Sequence, residues 1–291
     1  MMPPDDANSV SVFALVSSGR HPVSGRAGRA REDARAVEMG LMLAGSALKL
    51  AHAGDADDGA LRDCLEAYLG MFHGLGDDRP GELSLLPMTT EDDAVAALSE
   101  WLANSGARLV LTGQRAECGE GSAMLPYLLA ERLGWSVVAG IAAIESVDAG
   151  SATLLQALPQ GQRRRLDVRL PCLVAVDAVA PAPRQSAFGP ARRGSINVVE
   201  GIETSPDTAR RAWQTQPARA RPRRLKVVKS GNARDRFKAA AAKSSASGGQ
   251  VLSGLTPDQA AEKLIDYLRK EKILREEKTP SISEEASAAD Q

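Results

Sequence analysis

The sequence predicts an α/β fold in which helices cover both faces of a mostly parallel sheet. Short apolar segments alternate with segments whose apolar residues recur at helical spacing, as expected for strands joined by crossover helices. The first apolar segment, residues 10–16, is continuous rather than alternating, which is typical of a strand buried on both faces. Aromatic residues make up only 3% of the 291 residues, so the core is expected to consist of Leu, Val and Ala. The fold class is therefore a three-layer, doubly wound sheet.

The elements follow in order along the chain. Strands are predicted at residues 10–16, 47–53, 83–86 and 109–111. Helices are predicted at residues 33–43, 57–71, 91–103 and 124–133. Thr90 is the expected cap of the third helix, whose first turn carries three acidic residues. After Trp135 the pattern changes to strands joined by short turns, at residues 137–144, 152–158, 163–170 and 173–176. This part predicts a β-rich addition to the sheet.

A glycine-punctuated loop between the strand at Leu109 and the next helix is the most informative segment. The loop contains Gly113, Gly119, Gly121 and Ser122. A strand, glycine loop and helix start is where α/β proteins bind a phosphate, because backbone N–H groups and the positive end of the helix dipole point at the anion. The N–H groups of Gly121 and Ala123 and the Ser122 hydroxyl are the candidate donors. The alternative is a tight turn that binds nothing.

Residues at the ends of the first two strands are expected to border the same pocket. They are Ala14 and Ser17 after the first strand and Gly54 after the second. Small residues at such positions also serve close helix–sheet packing, which is the simpler interpretation of Ala14. His21 and Cys118 have equally plain alternatives, a histidine in an exposed turn and a small half-buried side chain.

Segments after the loop resemble the β subunit of electron-transfer flavoproteins. They comprise Leu-Gly-Trp at residues 133–135, a valine-rich strand and an arginine-bearing hairpin. Then come Leu-Pro-Cys-Leu-Val-Ala-Val-Asp at residues 170–177, Pro-Arg at 183–184 and Ala-Arg-Arg at 191–193. The resemblance covers residues 10–199 and is strongest over 109–193. It implies a sheet of the adenine-nucleotide α-hydrolase type.

The resemblance also implies a function, cofactors and partners. The chain is expected to form a heterodimer with an α subunit that holds most of the FAD, and to have no catalytic residues of its own. The dimer would carry electrons from a flavin dehydrogenase, of N-methylated amines such as dimethylglycine, to an electron-transfer flavoprotein:quinone oxidoreductase. AMP or another adenine nucleotide is the ligand that the family's loop resembles.

The nucleotide loop departs from the family's pattern of Asp-Gly-Asp-Thr-Gly-Gln-Val-Gly. Alignment on Ala116 and Pro126 gives Cys-Gly-Glu-Gly-Ser-Ala-Met-Leu at residues 118–125. Gly119 is retained and Glu120 is a longer acid at an Asp position, whereas the Thr and Gln donors are lost. A carboxylate directed into the pocket repels phosphate. The sequence therefore leaves open whether the loop binds AMP, FAD or nothing.

The loop from residue 183 to 193 is a candidate docking site for partner proteins. In the family this region carries an apolar anchor followed by basic residues. Phe188 stands at the anchor position, and Arg184, Arg192 and Arg193 are its basic companions. An exposed aromatic residue flanked by arginines is typical of an interaction hot spot. The alternative is a loop whose phenylalanine folds back onto the protein.

The remainder of the chain is predicted to be an arm rather than part of the sheet. The α/β domain is assigned to residues 1–199, a basic arm to 200–254, an amphipathic helix to 255–275 and a disordered tail to 276–291. Residues 184–243 hold 15 Lys and Arg against 4 Asp and Glu. Without interleaved aromatic residues this charge favours an arm that wraps the α subunit over a nucleic-acid site. Thr256 to Gln259 predicts a capped helix start.

Composition excludes several classes of function. The net charge is −1, and the three cysteines and three histidines lack metal-ligand spacing, so no metal site is expected. No long apolar run or secretory signal is present, which predicts a cytoplasmic protein without a membrane span. An alternative to the electron carrier is a nucleotide-binding regulatory homodimer of the stress-protein type without flavin. Such a module lacks the β-rich addition and the basic arm.

Overall fold

The computed structural model describes residues 10–21, 23–76, 79–119, 121–214, 216–217, 232, 234 and 253–270. Contacts divide the chain into two units, residues 1–215 and residues 216–291. The sheet and every candidate site residue that the structure describes belong to the first unit. The predicted linker at residues 239–249, the arginines at 219–224 and the tail at 276–291 lie outside the described residues.

The strands in the described part of the chain are β1 (Val12–Leu15), β2 (Ser18–Arg20), β3 (Ala27–Arg29), β4 (Lys49–Gly54), β5 (Glu82–Pro87), β6 (Leu109–Gly113), β7 (Ser136–Val147), β8 (Ser151–Ala157), β9 (Arg163–Arg169), β10 (Cys172–Val176) and β11 (Ser195–Val198). The helices are α1 (Arg31–Ala44), α2 (Gly59–Leu69), α3 (Ala94–Asn104), α4 (Leu125–Leu133), α5 (Phe188–Arg193), α6 (Thr208–Arg211) and α7 (Pro257–Lys270). Strands and helices alternate from α1 to α4, whereas β1 to β3 and β7 to β10 are runs of strands without an intervening α-helix.

A single large sheet carries the fold, with the strand order β11-β5-β4-β1-β6-β10-β7-β8-β9. All neighbours from β11 to β7 are parallel, and β8 and β9 add antiparallel strands at one side. From the central β1 the chain builds outward through β4 and β5, then crosses to β6 on the other side. The strand order therefore reverses beside β1, and ligands of doubly wound sheets bind at the carboxyl ends of the strands there. The predicted fold class and β-rich addition are confirmed.

Helices pack on both faces of the sheet, as the continuous apolar strands predict. Along β1, Val12 and Ala14 belong to the core cluster that includes α1 and α2, while Phe13 and Leu15 belong to the cluster that includes α3 and α4. Successive side chains of a strand point to opposite faces, so one strand contributes to both cores. The result is three layers, with helices above and below a buried sheet.

The start of α3 differs from the prediction. The helix begins at Ala94 and its cap is Asp93, whose side chain accepts the Val95 N–H at 2.8 Å. Residues before it are held outside the helix, because Asp92 forms an isolated bridge with Pro206 and the Asp93 N–H donates to the Ser205 carbonyl at 2.7 Å. The prediction that Thr90 caps the helix is therefore wrong. Residues 92 and 93 pair instead with the segment at residues 205–206, so the helix starts after them.

The second unit contains the predicted C-terminal helix α7. Gln259 N–H approaches the Thr256 hydroxyl oxygen at 3.4 Å, and Thr256 N–H donates to the Gln259 side-chain carbonyl at 3.3 Å. These two reciprocal bonds form the capping box that the sequence predicts. Leu264 and Tyr267 are more than half exposed, so this helix carries apolar surface that its own unit leaves uncovered.

Candidate nucleotide site and docking loop

A cavity of about 230 Å³ lies at the carboxyl ends of the central strands, beside the point where the strand order reverses. Its walls come from the ends of β1, β4 and β6, the loop before α4 and the first turn of α3. Among the predicted residues, those lining it are Ser17, Gly113, Gly121, Ser122 and Ala123. The structure thus brings together residues separated by about a hundred positions in the sequence, as the topology requires.

The loop before α4 has the backbone conformation that its glycines permit. Gly119 and Gly121 have φ values of 79° and 64°, in the left-handed region. Ala123 has φ 64° as well, and Met124 after it returns to the right-handed helical region. Alternation of left- and right-handed residues makes successive N–H groups converge, which is the geometry of an anion nest. The Ser122 hydroxyl oxygen lies 3.3 Å from the Met124 N–H, so its own proton is available to a ligand.

Three predicted residues lie outside the cavity wall, and a fourth lies outside the described residues. Ala14 is fully buried in the core, in agreement with the packing interpretation. Gly54 ends β4, where an added Cβ would approach the Nε2 atom of His52 to 2.6 Å, so this position accommodates the histidine ring. Glu120 is the residue that the structure does not describe. Gly119 stands in the loop without lining the cavity.

Asp33, in the first turn of α1, joins the two strand ends that frame the cavity. Its Oδ2 accepts the N–H of Ser17 at 2.8 Å and the Ser17 hydroxyl at 2.5 Å, and its Oδ1 accepts the Gly113 N–H at 2.9 Å. Only 5% of Asp33 is exposed. Burial raises the pKa of this carboxyl to about 6, although the hydrogen bonds from Ser17 and Gly113 oppose the rise. Ser17 and Gly113 are therefore fixed by one buried side chain.

The buried Tyr68 of α2 also hydrogen-bonds to the connection between β1 and α1. Its hydroxyl donates to the Ser17 carbonyl at 2.9 Å and accepts the Ala30 N–H at 2.8 Å. Burial raises the pKa of Tyr68 well above its ordinary value, so the phenol remains a donor at physiological pH. The strand-to-helix connection after β1 is thus hydrogen-bonded from both α1 and α2.

A chain of polar contacts continues from α1 to β10. The Oε2 atom of Glu32 accepts the N–H groups of Gln114 and Arg115 at 3.0 and 3.1 Å. The Gln114 side chain in turn donates to Asp177 at 2.7 Å, at the end of β10. The side chains of Glu32, Gln114 and Asp177 thus hold the turn that follows β6. This turn leads into the nucleotide loop.

His52 contributes a neutral imidazole to the cavity wall. Its Nδ1 lies 2.6 Å from the Val16 carbonyl oxygen, and because a carbonyl only accepts, Nδ1 carries the proton. Burial lowers the pKa of His52, so the ring stays uncharged at neutral pH and Nε2 is an acceptor. The cavity therefore gains no positive charge from this residue.

The docking loop exposes its predicted anchor. Phe188 is 82% exposed at the start of the short helix α5, so the alternative in which it folds back is wrong. Arg193 is exposed beside it, and Arg192 lies 3.7 Å from Glu66 with 64% of its side chain accessible. An apolar ring flanked by accessible cations is a surface that a partner can recognise.

Arg184 is engaged within the chain. Its Nε and Nη2 donate to the two carboxylate oxygens of Glu38 at 2.8 and 2.9 Å, and its Nη1 donates to the His73 carbonyl at 2.7 Å. The Arg184 side chain is 21% exposed and the Glu38 side chain 11%. Burial raises the pKa of Glu38, but the hydrogen bonds and charge of Arg184 outweigh it and lower the pKa overall. Arg184 holds the docking loop onto α1, and its role in docking stays a prediction.

The remaining sequence candidates have local structural roles. His21 accepts the Ser24 N–H at 3.1 Å within the β2–β3 turn. Cys64 donates to the Gly28 carbonyl at 2.8 Å, and Cys118 is half-buried. Among the described residues no cluster of three or more His, Cys, Asp or Glu has the arrangement of a metal site. No helix in that same part of the chain combines the length and apolar character needed to cross a bilayer.

Sequence reasoning missed Asp33, Glu32, Tyr68 and Arg210. An acidic residue in a first helical turn is ordinary, because it complements the helix dipole, so neither Asp33 nor Glu32 is distinctive. Tyr68 stands on the apolar face of its helix and is predicted only as a core residue. Arg210 belongs to a segment that lacks apolar periodicity, and its position at the cavity wall depends wholly on tertiary structure.

Comparisons with known proteins agree with this geometry. A family model described as the electron transfer flavoprotein domain matches residues 82–203. A protein of Chromohalobacter salexigens, named electron transfer flavoprotein subunit beta, is 52% identical over 276 residues, which cover 94% of this chain and 100% of that protein. The α/β fold, the nucleotide-type loop and these matches define a component of an electron-transfer flavoprotein.

Within that class, the chain belongs to the β-subunit family of electron-transfer flavoproteins. A β subunit of this kind acts in electron transfer and forms a heterodimer with an α subunit. Membership selects the electron-transfer hypothesis over the regulatory homodimer.

Proposed function

We propose that this β subunit pairs with an α subunit that holds most of the FAD, and that the dimer carries electrons from a flavin dehydrogenase to an electron-transfer flavoprotein:quinone oxidoreductase. The size of the cavity supports the proposal that the α subunit, rather than this chain, holds most of the FAD. FAD contains two nucleotide units and AMP contains one, so a cavity of about 230 Å³, small beside the roughly 300–1,000 Å³ of pockets for drug-sized ligands, suits a mononucleotide better than a flavin dinucleotide. The flavin supplies the redox chemistry, and this chain supplies position and surface.

The cavity is the proposed site of an adenine mononucleotide such as AMP. The nest formed around Ala123, the Ser122 hydroxyl and the first turn of α4 provide donors for a phosphate group. Leu15, Ala51 and Leu98 provide an apolar wall suited to a base. The carboxylate of Asp33 faces the same cavity, but its oxygens are occupied by Ser17 and Gly113, which limits its repulsion of an anion.

Exposed apolar side chains support the proposal that this chain works together with partner proteins. Met42, Tyr127 and Phe188 are 69%, 44% and 82% exposed, and large accessible apolar residues mark interaction surfaces when they occur in patches. The Phe188 loop is the proposed contact with the dehydrogenase, with Arg192 and Arg193 beside it. The basic arm is proposed to wrap the α subunit rather than bind nucleic acid.

The proposed client class rests on the resemblance, and the proposed compartment rests on composition, including three widely spaced free cysteines. We infer a dehydrogenase of N-methylated amines, of the dimethylglycine type, and a cytoplasmic location.

The exposure of Phe188 is the observation that carries the docking proposal, and substitution tests it. In the assembled heterodimer, Phe188→Ala is expected to slow reduction by the dehydrogenase about tenfold or more, since hot-spot truncations cost about 2 kcal/mol. The flavin content should be unchanged. Stopped-flow measurement of flavin reduction provides the rate.

Val198→Ala is the control, because Val198 on β11 is an exposed apolar residue, 52% accessible, that lies outside both the docking loop and the basic arm. This variant should react like the unmodified dimer. Equal rates for the Phe188 variant and the unmodified dimer would show that Phe188 is not the anchor.

A further inference from the structure

We propose that Arg210 is the side chain that binds the nucleotide phosphate in the cavity. It is delivered by residues 205–211, which we call the strap. This inference rests on the proposed nucleotide site and names a binding residue for it. The strap lies beyond the β-sheet, in the segment that the sequence assigns to the basic arm.

The strap is fixed to the body of the first unit at several points. Asp92 and Pro206 form a bridge, Asp93 N–H donates to the Ser205 carbonyl at 2.7 Å, and Asp207 N–H donates to the Glu91 carbonyl at 2.8 Å. Arg211 also lies 3.6 Å from Glu91, but both side chains are more than half exposed, so this ion pair adds little to the backbone contacts. These contacts position the strap at the start of α3, beside the cavity mouth.

Arg210 reaches the cavity wall from this strap. Its backbone N–H donates to the Asp207 side chain at 3.0 Å, which fixes the start of the side chain. Arg210 is half-buried and lines the same cavity as Gly121 and Ser122. Within the part of the chain that the structure describes, its guanidinium makes no hydrogen bond or ion pair.

Among the described residues, the carboxylates that line the cavity accept hydrogen bonds from groups other than the Arg210 side chain. Asp93 caps α3, Asp207 caps α6, and Asp92 accepts the N–H and hydroxyl of Thr89 at 2.8 Å. Asp33 is bound to the strand ends. A half-buried cation that these carboxylates leave unpaired is costly unless an anion joins it. A phosphate meets this need, because guanidinium and phosphate form paired, charge-assisted hydrogen bonds.

The described loop residues 119 and 121–123 offer a phosphate only backbone N–H groups and the Ser122 hydroxyl, which carry no full positive charge. Two of the described arginines line the cavity, Arg115 in the turn after β6 and Arg210 in the strap. Arg115 is exposed, whereas Arg210 is half-buried. Arg210 is therefore the cation that is more shielded from solvent and better placed to bind a phosphate in the cavity.

Titration of the full chain with AMP and with adenosine tests the assignment. Arg210→Gln is expected to weaken AMP binding about 10- to 100-fold, because a hydrogen bond to a charged group contributes about 1.5–3 kcal/mol. Adenosine, which lacks the phosphate, should bind both proteins equally. Arg210→Lys should recover part of the loss, since the charge returns without the planar fork. Isothermal titration calorimetry provides the constants.

Arg211→Gln is the matched control. It removes the same charge from the same short helix, but Arg211 does not line the cavity, so AMP affinity should fall by less than about threefold, as expected for an exposed ion pair. A parallel titration with FAD tests the other source of a nucleotide phosphate. If Arg210→Gln loses affinity for FAD but not for AMP, the phosphate that Arg210 binds belongs to the dinucleotide.

Three results would overturn the inference. The first is unchanged affinity of Arg210→Gln for both AMP and FAD. The second is no binding of either nucleotide by the unmodified chain. The third is an equal loss of AMP and adenosine affinity, which indicates a structural role for Arg210. Assembly with the α subunit and reduction by a dehydrogenase are measured separately on the same variant. Failure of those reactions in the unmodified protein would count against the proposed function instead.

Discussion

Asp33 shows how a single side chain shapes this site. It receives three hydrogen bonds from residues 16 and 80 positions away in the sequence, and these bonds bring the ends of β1 and β6 together. A carboxyl group placed in the core must be fully hydrogen-bonded to be tolerated. The sequence does not predict these hydrogen-bond partners, because an aspartate in the first turn of a helix is already explained by its favourable interaction with the helix dipole.

Asp33 is expected to make the stability of the protein depend on pH. Its folded-state pKa of about 6 lies above the ordinary value of 3.8, so the native state binds the proton more tightly than the unfolded state. The contribution of this group to the free energy of unfolding is therefore greatest below about pH 4 and is lost as the pH rises through about 6. Across that window it falls by about 3 kcal/mol, at about 1.36 kcal/mol per pKa unit.

Chemical denaturation of the protein and of Asp33→Asn between pH 7.5 and 4.5 measures this effect. The unmodified protein should gain stability relative to the variant as the pH falls. Asp148→Asn provides a control whose stability should stay parallel to that of the unmodified protein over this range, because hydrogen bonds from Gly150 and Ser151 lower the pKa of the exposed Asp148 and it stays ionised in both the folded and unfolded states. Parallel pH curves for the protein and Asp33→Asn would show that Asp33 has an ordinary pKa.

The Arg184–Glu38 pair connects two elements that carry separate functions. Glu38 lies on α1, which supports the nucleotide site, and Arg184 begins the segment that leads to the docking helix α5. The two residues are 146 positions apart. Because the pair is mostly buried and bidentate, its loss leaves a charge without a partner, and this cost exceeds the contribution of a surface ion pair.

Arg184→Met is expected to lower the free energy of unfolding by about 2–4 kcal/mol, because Glu38 is left buried and unpaired. The double variant Arg184→Met, Glu38→Met should recover part of that loss, since no unpaired charge remains. Arg192→Met removes an exposed arginine and should change stability by less than about 1 kcal/mol. Urea denaturation measures all three. A double variant less stable than Arg184→Met would contradict the assigned ion pair.

The parallel core could be predicted at the level of elements, whereas the edges of the fold could not. Continuous apolar runs such as residues 109–111 belong to buried strands, and the period-3.6 pattern of Leu61, Leu65 and Tyr68 belongs to a helix that covers them. The hairpin of β2 and β3 was missed because its sequences, SGR and AGR, have no apolar alternation. Strand β11 was missed because it is short and largely exposed, and its pairing with β5 determines it.

The candidate site was predictable to the extent that it follows from topology. Once β1, β4 and β6 are known to be parallel neighbours, the positions after them must meet at one edge, and Ser17, Gly113 and the residues 121–123 do so. Ala14 and Gly54 were assigned to that wall but pack inward, since the faces of a strand cannot be assigned from its end alone. The strap was unpredictable, because it is held by backbone bonds to residues 91–93 rather than by an apolar pattern.

The whole molecule has the features of one half of a redox assembly. Its cavity suits a mononucleotide better than a flavin dinucleotide, Phe188 is exposed, and α7 carries exposed apolar residues. A partner that brings the flavin and covers apolar surface is consistent with these features. Membership in the β-subunit family identifies that partner as the α subunit of an electron-transfer flavoprotein.

Native purification of the full chain from cells that also express the α subunit tests the central claim most directly. The visible absorption spectrum and the protein stoichiometry of the purified species are measured together. We expect an equimolar complex with flavin absorption bands, in which the flavin released on denaturation is FAD. A colourless homodimer of this chain, purified while the α subunit is present, would contradict the account.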